Sequence, residues 1–144
     1  MCIRDRDIAD GYANDIAGIG LDDCSGLDQR QSKSVNDDAI VTIGHGTIAS
    51  TNQTNPNAFT SDESYLIWGN DGAAINPDWT NNIVPIGSDS YAHTDRVWKI
   101  NETSDITNVI LSVDVDDPAF DLPAIPVGSD GNYYILIDLS LIHI

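Results

Sequence analysis

The sequence predicts an all-β fold, an antiparallel β-sandwich of Ig-like or jelly-roll-like kind with long polar loops, and three observations carry that prediction. The acidic residues are nearly all Asp, with Glu only at Glu63 and Glu102. Asp suits turns because it tolerates left-handed backbone and bonds its own main chain, whereas a helical chain would draw on Glu. Short apolar or alternating segments recur along the chain with Gly, Asn, Asp, Ser or Pro between them. No window carries an i, i+3, i+4, i+7 apolar stripe of useful length.

Taken in order, strands are predicted at Asp15–Gly20, Ala39–Ile43, Ser64–Gly69, Arg96–Ile100, Val109–Val115 and Tyr133–Ile137. In Arg96–Ile100 the alternation sets Trp98 and Ile100 on one face and Val97 on the other. Tyr133–Ile137 is apolar throughout, the pattern of a central strand. Asn70-Asp71-Gly72 and Ser129-Asp130-Gly131-Asn132 are turns with positive-φ capacity. Pro118, Pro123 and Pro126 exclude a helix after Val115. Two longer loops are predicted, Ser50 to Ser61 and Asn70 to Ser90, lengths that are uncommon without a function.

The two ends are set apart from the rest. Met1–Arg6 and Leu139–Ile144 translate DNA strings that are reverse complements of one another and match a transposase end used in library preparation, which marks residues 1–6 and 139–144 as adapter-derived. The biological span is then 7–138, expected to be one sandwich domain cut from a longer protein. On that reading Met1 is silent about targeting, and Cys24 is expected to stand alone, with no internal disulfide.

The formal charge is −17, and setting aside Arg4, Arg6 and Asp5 leaves 4 basic against 22 acidic residues, or −18. Such a field opposes nucleic acid and anionic lipid as partners and favours cations. No apolar run approaches the length of a membrane span.

Several stretches have a familiar look in combination. Asn14-Asp15-Ile16-Ala17-Gly18-Ile19-Gly20-Leu21-Asp22-Asp23 is followed by Ser25-Gly26-Leu27 and Gln29-Arg30-Gln31-Ser32. Leu66-Ile67-Trp68-Gly69-Asn70-Asp71-Gly72, Arg96-Val97-Trp98-Lys99-Ile100-Asn101-Glu102-Thr103 and Val113-Asp114-Val115-Asp116-Asp117-Pro118 come next, and the series closes at Leu136-Ile137-Asp138. Together they resemble an uncharacterised β domain of large bacterial secreted and cell-surface proteins that tends to follow a laminin-G or concanavalin-like jelly-roll domain. The resemblance implies an extracellular, non-catalytic accessory or adhesin-type module with neighbouring domains of the same polypeptide as partners. It brings no catalytic residues with it.

Individual residues were weighed for chemistry on that background. Asp is so abundant that a glycosidase-like carboxylate pair can always be drawn, which deprives it of meaning. His45, in Ile43-Gly44-His45-Gly46-Thr47, reads as part of a turn closing a strand, and His93 as a loop residue. Neither lies near a nucleophile elbow, so no catalytic residue and no enzyme is expected. Calcium is the one cation the composition would suit. The favoured ligands are Asp114, Asp116 and Asp117, since Asp114 and Asp116 would share a strand face; turn capping competes as the explanation. The other acidic groups are Asp22 with Asp23, and Asp130 with Asp138. For a glycan, Trp79 in Asn76-Pro77-Asp78-Trp79-Thr80 is the best exposed platform and Tyr91 the second, while Trp68 and Trp98 are expected in the core. Arg96 and Lys99, beside Glu102 and Thr103, are expected to make local charge pairs. The function expected is therefore a structural or adhesive module. Its alternatives are a carbohydrate-binding accessory domain, calcium-stabilised, and a fragment of a glycoside hydrolase.

Overall fold

The computed structural model describes residues 11–75, 83–86, 89–104, 106–118 and 135–137. Nine strands are present among them: β1 (Asn14–Asp22), β2 (Leu27–Gln29), β3 (Gln31–Lys33), β4 (Val41–His45), β5 (Ser64–Asn70), β6 (Ile83–Ile86), β7 (Asp89–Ala92), β8 (Trp98–Thr103) and β9 (Val109–Val113). A four-stranded antiparallel sheet in the order β2-β1-β5-β8 packs on a three-stranded antiparallel sheet, β3-β4-β9. The fold is a β-sandwich, as the composition and the spacing of turns predict. The chain passes from one sheet to the other at Arg30, the single residue between β2 and β3, so those two edge strands form one flank and β8 and β9 the other.

The core lies between the sheets. Ile19 of β1, Val41 and Ile43 of β4, and Leu66 and Trp68 of β5 are buried together with Ile40, Phe59, Ile75 and Ile106. Trp68 is 1% exposed. The pairing Ile19↔Leu66 and Ala17↔Trp68 puts these residues on one face of the sheet, because directly opposed antiparallel residues point the same way. Trp98 packs against this core and is partly buried, so both tryptophans sit where the pattern predicts.

Four predicted elements need correction. The long loop expected from Asn70 to Ser90 contains the hairpin β6–β7, paired Ile83↔Ala92 through Ile86↔Asp89. Pro85 is tolerated there because a two-stranded pair has edges on both sides. Strands β2 and β3 were missed because Leu27 to Lys33 is almost wholly polar; they are three-residue edge strands, where polar side chains belong. Of the central strand expected over Tyr133–Ile137, residues 133 and 134 lie outside the described residues, and Ile135, Leu136 and Ile137 form no strand and are 67%, 58% and 71% exposed. Lastly, Cys24 does not stand alone but is disulfide-bonded.

The other long loop, Ser50 to Ser61, is held firmly. A 3₁₀ turn at Asn52–Thr54 starts with a capping box in which Thr51 and Thr54 exchange side-chain bonds to backbone. Asn55, with no exposed surface, then ties three carbonyls together: its Nδ2 donates to Arg30 O at 3.3 Å, His45 O at 3.3 Å and Thr47 O at 2.9 Å. Its Oδ1 accepts from the Asn57 backbone at 3.0 Å. One carboxamide thereby fixes the β2–β3 crossing, the end of β4 and the loop itself.

Candidate functional site

A heavily bonded polar centre forms where β1 begins. Between Asn14 and Ala17 the β1–β5 register slips by a bulge, and Asp15 takes a left-handed φ of 51°. A bulge re-aims a side chain, and here it turns a carboxylate inward until Asp15 is 8% exposed. Oδ1 accepts from Asn36 Nδ2 at 2.8 Å, and Oδ2 accepts from Asn70 Nδ2 at 2.6 Å. Arg96 Nη1 also reaches Oδ2, at 3.3 Å, and both side chains of this ion pair are under 10% exposed.

Arg96 is engaged through all three of its guanidinium nitrogens. Its Nε donates to Ala73 O at 2.8 Å, and Nη1 and Nη2 each donate to Asp38 Oδ2 at 3.1 Å. Asn70 Oδ1 accepts from Gly72 N at 2.8 Å, and Asp71 Oδ1 accepts from Ala73 N at 3.0 Å and Val97 N at 3.2 Å. Gly72 has φ +73°, the left-handed turn position that the Asn70-Asp71-Gly72 motif predicts. The pairs of Arg96 are thus long-range, to Asp15 and Asp38, and not the local ones expected. Lys99 also has no short-range pair with Glu102; its Nζ lies 5.7 Å from the centroid of the Tyr12 ring. Chemically this centre is a clamp. It joins β1, β5, the 34–40 segment and the approach to β8, with all three guanidinium nitrogens of Arg96 engaged.

A second feature lies on the opposite, outward face of the four-stranded sheet. Ile16, Gly18, Leu27, Gln29, Tyr65 and Ile67 line a shallow trough of about 280 Å³. Its floor depends on glycine: a Cβ on Gly20 would lie 2.6 Å from Ser64 O and 2.7 Å from Tyr65 Cδ1, so Tyr65 lies across β1 only because residue 20 has no side chain. The lining is overwhelmingly apolar. Its one amide side chain, Gln29, is already donating to Gln31 O. The trough offers apolar contact and few hydrogen bonds.

The residues singled out by sequence are scattered. Trp79 lies outside the described residues, as do Asp130 and Asp138. Tyr91 is half-buried in β7, opposite Val84. Strand β9 ends at Val113, and residues 115 and 116 are in a turn, so Asp114 and Asp116 share no strand face; the convergence expected of Asp114, Asp116 and Asp117 is corrected on that ground. Asp114 instead lies 3.8 Å from Lys33 Nζ, its backbone N–H donating to Ile40 O. Among the described residues no group of three or more His, Cys, Asp or Glu side chains is placed to hold a metal ion. His45 closes β4 and stacks on Phe59, ring centroids 4.5 Å apart, with Nδ1 3.1 Å from Asn57 O. His93 Nδ1 is 2.6 Å from Thr94 O.

The family model for DUF8202, a domain of unknown function, matches residues 3–140. The chain belongs to that family. No curated protein and no solved structure matches it. In this DUF8202 domain the residues that sequence reasoning passed over are Asp15, Asn55 and Asn70. Each left a signal. Asp15 breaks an otherwise apolar strand, where Asp is disfavoured, and Asn70 closes one next to a turn. Asn55 stands in a polar loop and leaves the weakest trace of the three.

Two surface carboxylates titrate below the ordinary carboxylate value of 3.8. The Tyr65 hydroxyl bonded to Asp22 is the main cause for that residue, opposed by desolvation and helped by the N–H groups of Ser25 and Cys24. For Asp28 the main cause is the hydrogen-bonded Arg30 guanidinium, again against desolvation; Arg30 Nη2 lies 2.7 Å from Asp28 Oδ2. A depressed folded value means stability that is fully present above 3.8 and is lost as pH falls through the lowered values. Carboxyl-carbon NMR titration is expected to place the midpoints of Asp22 and Asp28 below 3.8 and to return Asp28 upward in Arg30→Gln. A midpoint for Asp28 that Arg30→Gln leaves unmoved would contradict this cause.

Proposed function

We propose that the chain is a non-catalytic structural, adhesin-type module of a larger secreted or surface-anchored bacterial protein, with neighbouring domains of the same polypeptide as its partners. One observation supports this reading above the others. Three of the four buried polar side chains among the described residues, Asp15, Asn55 and Asn70, hold backbone or one another, as does Arg96 beside them, and the fourth, the small Ser64, has no hydrogen-bond partner. Groups bound in this way stiffen a scaffold, and they are poorly placed to exchange partners with a substrate. The acidic surface keeps such a module soluble and repels nucleic acid.

The test is made on the purified chain with a panel of polysaccharides and a glycan array. Neither release of reducing ends nor retention that depends on Trp79 is expected. Released reducing ends would establish a hydrolase instead. Glycan retention abolished by Trp79→Ala or Tyr91→Ala would establish a carbohydrate-binding domain. A chelator run in the same buffers reports on calcium: a melting temperature that falls on chelation and recovers with added calcium would assign a bound cation.

A further inference from the structure

The three-stranded sheet is open along β9. Asp114 N donates to Ile40 O, and Asn108 O accepts from Gly46 N at 2.8 Å, so the backbone groups of alternate residues face β4. By that alternation the N–H and C=O of Val109, Leu111 and Val113 point away from β4, and no described strand pairs with β9 on that side. The same three residues oppose His45, Ile43 and Val41, so their side chains are directed between the sheets. Val109 and Leu111 are nevertheless 39% and 38% exposed. Ile100, directly opposite the buried Trp68 and on the inner face of β8, is 46% exposed. The flank of the sandwich formed by β8 and β9 therefore presents inward-facing apolar side chains to solvent.

An apolar segment of the same chain has the complementary pattern. Ile135, Leu136 and Ile137 belong to no strand and are more than half exposed. Extended, Ile135 and Ile137 share one face and Leu136 the other. That matches β9, where Val109 and Leu111 face inward and Ile110, 47% exposed, faces outward. Residues 114–134 separate the two segments, a length whose reach far exceeds the ~4.8 Å spacing of paired strands.

We propose that β9 is an acceptor edge, and that the segment carrying Ile135–Ile137 adds to it as the next strand of that sheet, covering Leu111 and Ile100. An open apolar edge is a template for strand addition. Filling it from within the chain removes both exposed surfaces together. This holds whether the module is structural, adhesive or glycan-binding.

Amide hydrogen exchange on the full chain tests it. Val109, Leu111, Val113 and at least two of Ile135–Ile137 are expected to exchange on the order of 100-fold or more slower than unstructured amides, independently of protein concentration. Ile137→Asp, which puts a charge on the inward face of the added strand, is expected in the full chain to return the three β9 amides to fast exchange while those of β1 and β5 stay protected. Fast exchange at Ile135–Ile137 in the wild type overturns the proposal. So does protection that appears only with a dimeric mass, because a second copy is then the occupant. If Ile137→Asp leaves the β9 amides protected, the strand is supplied by something else, and the proposal fails.

Discussion

Trp68→Ala is expected to destabilise the sandwich by about 3–5 kcal/mol, the usual cost of truncating a fully buried large aromatic. Trp68 is 1% exposed and belongs to a cluster drawn from both sheets. The site cannot collapse cheaply, because Trp68 stands on a central strand, with Ala17 of β1 on one side and Ile100 of β8 on the other. The total stability of a domain is commonly about 5–15 kcal/mol, so a substantial share would go. Urea unfolding should show a lower midpoint at unchanged slope. Trp98→Ala provides the comparison. Trp98 is only partly buried at the edge of the core, and its loss should cost clearly less. Equal costs for the two would mean that the β8 flank is as well covered as the centre, which would contradict the exposure of Ile100.

The contrast between these two tryptophans marks how far the fold was legible in the sequence. Alternation places Trp68 and Trp98 on inward faces, and both are there. Alternation says nothing about how many strands lie opposite, and that number decides which tryptophan is fully buried. The same limit explains Ile135–Ile137. An apolar run states a need for burial, but the partner that satisfies it is a property of topology. Polar edge strands fail in the opposite sense. Leu27–Gln29 and Gln31–Lys33 are strands because β1 and β4 offer them backbone bonds, although their own side chains argue for nothing. The β6–β7 hairpin was within reach, since Gly-Ser at 87–88 is a sequence signal for a two-residue hairpin turn between runs containing Ile83, Val84 and Tyr91. The shared strand face expected of Asp114 and Asp116 fails for a local reason. Period-two reasoning requires the strand to continue, and it stops at Val113, one residue before the first of the three aspartates.

The polar centre at Asp15 was the least legible feature and should be among the most costly to disturb. Its members are far apart in the chain, with Asp15, Asn36, Asn70 and Arg96 brought together by four separate segments. Asp15→Ala is expected to cost about 3–5 kcal/mol, because it leaves the buried guanidinium of Arg96 and two amide donors without their acceptor. Asp38→Ala should cost about 0–1 kcal/mol, although Arg96 makes two contacts to Asp38, because that carboxylate is 53% exposed and solvent screens the pair. Backbone strain adds a finer distinction. Asp15 has φ 51°, a region that costs a Cβ-bearing residue about 1–2 kcal/mol and glycine almost nothing. Asp15→Gly should therefore be less damaging than Asp15→Ala by about 1 kcal/mol, despite removing the same carboxylate. In a double-mutant cycle with Arg96→Met, the two sites should couple by about 1–3 kcal/mol. Additive losses, or a glycine variant no better than alanine, would show that the bulge at Asp15 is held by the β1–β5 ladder alone and that the carboxylate contributes little to it.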